Sequence, residues 1–171
     1  SVAKKLKQCI EEKGGKAVMT REEDVSTADE NCKDGSSAKS SDLKRRRAMI
    51  EECGANIFVS IHMNKFPQTE YWGAQVFYAA NSAESQKLGE VLQRTIAETL
   101  NDGNDRAAKK SDGSIFILKN ASVPSVIVEC GFLSNTQEAE NLKKEEYQQS
   151  LAQAICAGIE KYSIDNTSSA T

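Results

Sequence analysis

Apolar and polar positions along this chain follow two rhythms, and the changes between them mark its elements. Val2, Leu6, Cys9 and Ile10 recur at helical spacing before Gly14-Gly15, which predicts a helix over Val2–Lys13. Lys16–Thr20 reads as a short strand ending at Thr20-Arg21. Residues 22–41 are largely polar and contain Asp34-Gly35-Ser36-Ser37, a long loop of the kind that often carries function. Ser41 is placed to cap a helix over Asp42–Cys53, with Leu43, Arg46, Met49, Ile50 and Cys53 on one face and Gly54 at its end.

Asn56–Asn64 changes the rhythm. Ile57, Phe58 and Val59 are consecutive apolar, β-favouring residues, so a strand covered on both faces is expected. It closes on Ser60, His62 and Asn64, which share one face at period two. A turn-rich loop with Pro67 follows, then a strand over Gly73–Ala79. Ser82–Leu100 is an amphipathic helix burying Leu88, Val91, Leu92, Thr95, Ile96 and Leu100. Asn101–Ser114 reads as loop, Ile115–Leu118 as a strand, and Val123–Glu129 as a second buried strand ending in a carboxylate. Asn135 with Glu138 has the spacing of a capping box. A helix over Tyr147–Tyr162 closes the fold, and residues 164–171 form a polar tail. Alternating strands and helices predict an α/β three-layer sandwich, a mostly parallel central sheet with helices on both faces, in one domain over residues 1–163.

Composition narrows the function. The 171 residues are 39% apolar and 27% charged, a globular balance. A formal charge of -3 gives no cationic footprint for nucleic acid. Lys44-Arg45-Arg46-Arg47 spreads around its helix and reads as a solvated face. No apolar run reaches transmembrane length. Cys9, Cys53 and Cys156 fall on apolar helix faces, Cys130 points away from Glu129 across its strand, and Cys32 sits in the polar loop as the most accessible thiol. The odd count argues against a full disulfide framework and leaves room for one bridge.

The candidate chemistry lies at two strand ends. His62 is the single histidine and Glu129 ends an apolar strand, where an unpaired carboxylate is costly. A lone histidine is more often a hydrogen-bonded structural residue, and it is the matching carboxylate that turns the pair into a site. α/β sheets place their sites beyond the carboxyl ends of strands. Ser60 and His62 lack the strand-to-helix elbow of a Ser–His hydrolase, and no Gly-rich phosphate loop follows a strand.

Ser60-Ile61-His62-Met63-Asn64 and Val128-Glu129-Cys130-Gly131-Phe132-Leu133-Ser134-Asn135 resemble two signature motifs of the zinc-dependent N-acetylmuramoyl-L-alanine amidases, the amidase_3 family of peptidoglycan hydrolases. Thr20-Arg21 and Gly73-Ala74-Gln75-Val76-Phe77-Tyr78 extend the resemblance from Val2 to about Tyr162. The continuation His62-Met63-Asn64-Lys65-Phe66-Pro67 is most similar to the family's sporulation-cortex members. The resemblance implies Zn2+ as cofactor, with His62 as a metal ligand and Glu129 as the catalytic residue. It further implies peptidoglycan as substrate and an extracytoplasmic site of action at the cell wall or spore cortex. In the family a further His and Glu bind zinc from the first strand and first helix. Ser1-Val2-Ala3-Lys4-Lys5-Leu6 resembles the middle of that helix, so those ligands are expected upstream of Ser1 and the sheet is expected to lack its first strand. The incomplete sheet edge would then be open to a protein partner or to self-association. The alternative reading is a catalytically inactive amidase-like module that binds peptidoglycan or a protein.

Overall fold

Ser125–Phe132, the longest apolar strand, organises the sheet. The computed structural model describes residues 1–29, 35–119 and 121–168. In chain order the elements are α1 (Val2–Glu12), α2 (Gly35–Glu52), β1 (Phe58–Asn64), β2 (Gln75–Tyr78), α3 (Ala83–Leu100), β3 (Lys109–Lys110), β4 (Ser125–Phe132), α4 (Thr136–Lys143) and α5 (Glu145–Ser168). The strands form one sheet in the order β1-β4-β2-β3. β1 pairs parallel with β4, β2 parallel with β3, and β2 antiparallel with β4. The sheet is therefore mixed, with parallel pairing at two of its three ladders.

Strand alternation divides the core in two. Val126, Val128 and Cys130 face α1, α3 and α5, where Val2, Leu6, Leu88, Leu92, Ile96, Leu151 and Ile155 pack against them. Ile127, on the other face, joins Phe58, Phe77, Ile117, Leu118 and Ile50 of α2. Burying each large aliphatic side chain of this kind contributes about 1.5–3 kcal/mol. The first face carries more of them and holds the helices most firmly. The second is thinner, and His62 and Glu129 share its face.

Several elements differ from the sequence expectation. Residues 16–20 form no ladder among the described residues, and Val18 is exposed; an apolar-flanked segment becomes a strand only when a neighbour takes its backbone groups. Residues 115–119 form one helical turn, with the amides of Leu118 and Lys119 both donating to the Ile115 carbonyl at 3.1 Å. That turn still buries Ile117 and Leu118. β3 lies inside the stretch expected to be loop.

Helix α2 begins at Gly35, so Ser41 is internal to it. The Ser41 hydroxyl instead accepts from the Asp29 amide at 3.0 Å. Beside it, the Asp42 carboxylate accepts from the Thr27 amide at 2.7 Å and from Arg46 Nε at 2.6 Å. These bonds fasten the preceding segment to the helix. Cys32 lies outside the described residues. α5 continues past residue 163 to Ser168, because Asn166 is tied to α3 through Lys87 and Glu84. β1, expected to be covered on both faces, is only half-buried over Phe58–Ile61, since a strand with one ladder neighbour keeps an open side.

Candidate active site

The parallel register sets His62 directly opposite Glu129. Across the other ladder Glu129 stands opposite Gln75. Side chains of directly paired residues leave the same face of a sheet, so His62, Glu129 and Gln75 form a row across β1, β4 and β2. This is the face of Phe58, Phe77 and Ile127. The apolar residues of each strand make the sheet, and the polar residue at the end of each is thereby delivered to one place.

Within that row the environments differ. His62 is exposed, yet neighbouring protein removes enough water to push its pKa down, helped by the positive charges of Arg46 and Arg21. The imidazole is thus kept neutral, with a lone pair to offer. Glu129 is half-buried, and burial pushes its pKa up. Its Oε2 is buried and meets no hydrogen-bond partner, as does Oε1 of Gln75. A raised carboxylate with an unanswered oxygen is a group prepared to take a proton.

Beyond His62 the β1–β4 register slips before Asn64 and Phe132, a bulge that re-aims the strand ends. Asn64 O accepts from the Leu133 amide at 2.7 Å. The expected capping box is only half formed. Asn135 accepts from the Gln137 and Glu138 amides, but the Glu138 carboxylate turns away from the helix. It accepts from the Gly73 amide at 2.9 Å and the Phe132 amide at 2.7 Å. Glu138 thereby joins the approach to β2 to the end of β4. A Cβ at Gly131 would stand 3.1 Å from its Oε1, so the close approach needs glycine there.

An aromatic cluster gathers at the end of β4. Arg106 lies over the rings of Phe132 and Tyr71, at 5.1 and 5.8 Å from their centroids, and its Nε donates to Trp72 O at 2.9 Å. Phe66 packs edge-on against Tyr71 at 5.3 Å. In the basic run Arg45 pairs with Glu52, as a solvated face would, whereas Arg46 is half-buried on Asp42 and Thr20 and acts on His62. Sequence reasoning missed Gln75, Glu138 and Arg46 as site-shaping residues. The available signals were a glutamine at the mouth of a strand and an acidic residue one turn beyond a glycine-containing strand end.

As for a metal, His62 could offer one imidazole nitrogen. Among the described residues no three His, Cys, Asp or Glu side chains converge, whereas catalytic zinc normally takes three protein ligands. These residues alone do not fit a complete zinc site.

An imidazole with a lowered pKa and a carboxylate with a raised one thus stand in register at the strand ends of an α/β sandwich. The N-acetylmuramoyl-L-alanine amidase model, Amidase_3, matches residues 1–161, and the chain belongs to that family. It is 36% identical over 161 residues to the germination-specific N-acetylmuramoyl-L-alanine amidase of Bacillus subtilis, covering 94% of this chain and 67% of that relative. The structure of the CwlD amidase from Clostridioides difficile, in complex with the GerS lipoprotein, superposes with a TM-score of 0.89 at 41% identity, over 94% of this chain and 83% of that one. AmiC2 of Nostoc punctiforme superposes with a TM-score of 0.79 at 28% identity, over 94% and 79% of the two chains.

Proposed function

We propose that this chain is the catalytic part of an enzyme that hydrolyses the amide between N-acetylmuramic acid and the L-alanine of the stem peptide. Spore-cortex peptidoglycan is the substrate suggested by the germination-specific relative. The observation that carries this reading is the pairing of His62 with Glu129 in register, with one Glu129 oxygen buried and unpartnered. Members of the family are generally zinc-dependent, and zinc belongs to the proposal with His62 as one of its ligands.

The proton chemistry rests on Glu129. Its carboxylate takes a proton from the water that adds to the amide carbonyl carbon. It then returns that proton to the nitrogen as the C–N bond breaks. The products are a lactyl carboxylate on the sugar and a free amino group on the peptide. His62 stays neutral throughout, which suits a nitrogen ligand and not an acid. Arg46 and Arg21 support that state electrostatically.

The site of action in this reading is the cell wall, as for the cell-wall amidases among the relatives. No helix among the described residues is long and apolar enough to cross a membrane. The CwlD neighbour was solved with a lipoprotein, and a protein partner of this chain is part of the proposal. The deciding experiment is stem-peptide release from peptidoglycan by protein isolated from its own cells. Glu129→Gln is expected to lower the rate by about 10²–10⁴ while zinc content stays near that of the unaltered protein. His62→Ala is expected to lower both. Release by Glu129→Gln at the unaltered rate would remove Glu129 from the reaction.

A further inference from the structure

The seam between α1 and α5 lies in the helical layer on the opposite face of the sheet from the candidate site. The two helices run parallel along it, because contacts climb both in the same direction. Lys5 meets Glu145 at 2.8 Å near the start, and Lys13 meets Glu160 at 2.7 Å near the end. Between them Cys9 and Cys156 take facing positions on the two helices, and Cys9 is, after burial, the neighbour that most raises the Cys156 thiol. The separation of 147 residues that links Lys13 to Glu160 also links Cys9 to Cys156. Each cysteine therefore sits one helical turn before its ionic neighbour, and the two pairs are successive rungs of one ladder. Cys156 is in the buried core, while Cys9 packs at its margin and is only half-buried.

We propose that Cys9 and Cys156 are a modification site, a dithiol that closes to an intramolecular disulfide and bolts α1 to α5. The oxidant is an external disulfide, either a small molecule such as oxidised glutathione or a protein disulfide donor. The reachable Cys9 thiolate attacks one sulfur of that disulfide, forming a mixed disulfide and releasing one thiol. The Cys156 sulfur then attacks Cys9 Sγ, expels the second thiolate and gives up its proton to it. One disulfide is consumed, one is formed, and two thiols leave, so the electrons balance. The order follows from access: burial pushes the Cys156 thiol up to about 12, with the Lys13 charge acting in the opposite sense. Cys130, also pushed up to about 12 by burial, lies in the core strand and is not a competing partner.

The test treats the whole folded chain with oxidised glutathione, alkylates remaining thiols and maps peptides without reduction. A Cys9–Cys156 cross-linked peptide with loss of two hydrogens is expected, with a thermal midpoint several degrees above that of the reduced chain. Cys9→Ser should lose both the cross-link and the shift. Cys156→Ala should stop at the first step and keep a glutathione adduct on Cys9. Should that core variant not fold, the unaltered chain and Cys9→Ser decide the matter. Alkyl label on both cysteines of the oxidised chain would overturn the proposal, as would a bridge mapping to Cys32 or Cys53. A midpoint shift that persists in Cys9→Ser would overturn it as well.

Discussion

Glu129 carries an opposition between stability and chemistry that can be measured. Its folded pKa lies above the ordinary value of 4.5 because burial disfavours the charged form. Between the unfolded and folded values the native chain holds a proton that the unfolded chain has lost, so stability falls as pH rises through that window. Glu129→Gln cannot ionise and escapes this loss. Its thermal midpoint should match that of the unaltered chain below about pH 4 and exceed it by a margin that widens as pH rises from the unfolded towards the raised folded value and then stays constant. A midpoint difference independent of pH would show that Glu129 ionisation is not what destabilises the fold. His62 and Glu129 were legible as a pair in the sequence because each closes a segment opened by three consecutive apolar, β-favouring residues, Ile57–Val59 and Val126–Val128. Gln75 was not legible, since one polar residue in a strand looks the same whether it faces solvent or, as here, is buried in register with Glu129.

At the scale of elements, Glu138 shows how a correct local signal can serve a distant purpose. Its spacing from Asn135 announced a helix start, and the helix is there. The carboxylate, however, satisfies two buried amides from separate segments, Gly73 ahead of β2 and Phe132 at the end of β4. Glu138→Ala should therefore cost about 3 kcal/mol, each amide left unpaired costing about 1–3 kcal/mol. A denaturant titration of the two chains measures it, and a loss below about 0.5 kcal/mol, the level of an ordinary surface change, would contradict the bridging role. Residues 16–20 and 115–118 were misread as strands for a related reason. Short apolar runs do not distinguish a strand from a buried turn, and whether a ladder forms depends on partners far away in sequence. Long elements with a full period, such as α3, were legible almost to the residue.

Across the whole molecule, the layered architecture was readable from alternating strands and helices, while the antiparallel place of β2 depends on loop paths that periodicity does not encode. The metal prediction also belongs here. The described residues bring one imidazole and one carboxylate into register at neighbouring strand ends, and most zinc affinity comes from a preformed set of ligands. Elemental analysis of this chain after dialysis against zinc should find well under one ion per molecule; a stoichiometric ion would mean that a ligand set forms from side chains not converging in this structure. The sheet order carries a last consequence. β4 is clasped on both sides, by β1 and β2, whereas β1 has a single ladder among the described residues. Backbone amides of β4 should exchange with deuterium only when the whole domain opens, and those of β1 much sooner, through local fraying. The imidazole therefore rides on a strand that can breathe, and the carboxylate on one that cannot. On gentle warming His62 would leave its place while Glu129 still stood in its own, so under the proposed roles inactivation would run ahead of unfolding and reverse on cooling.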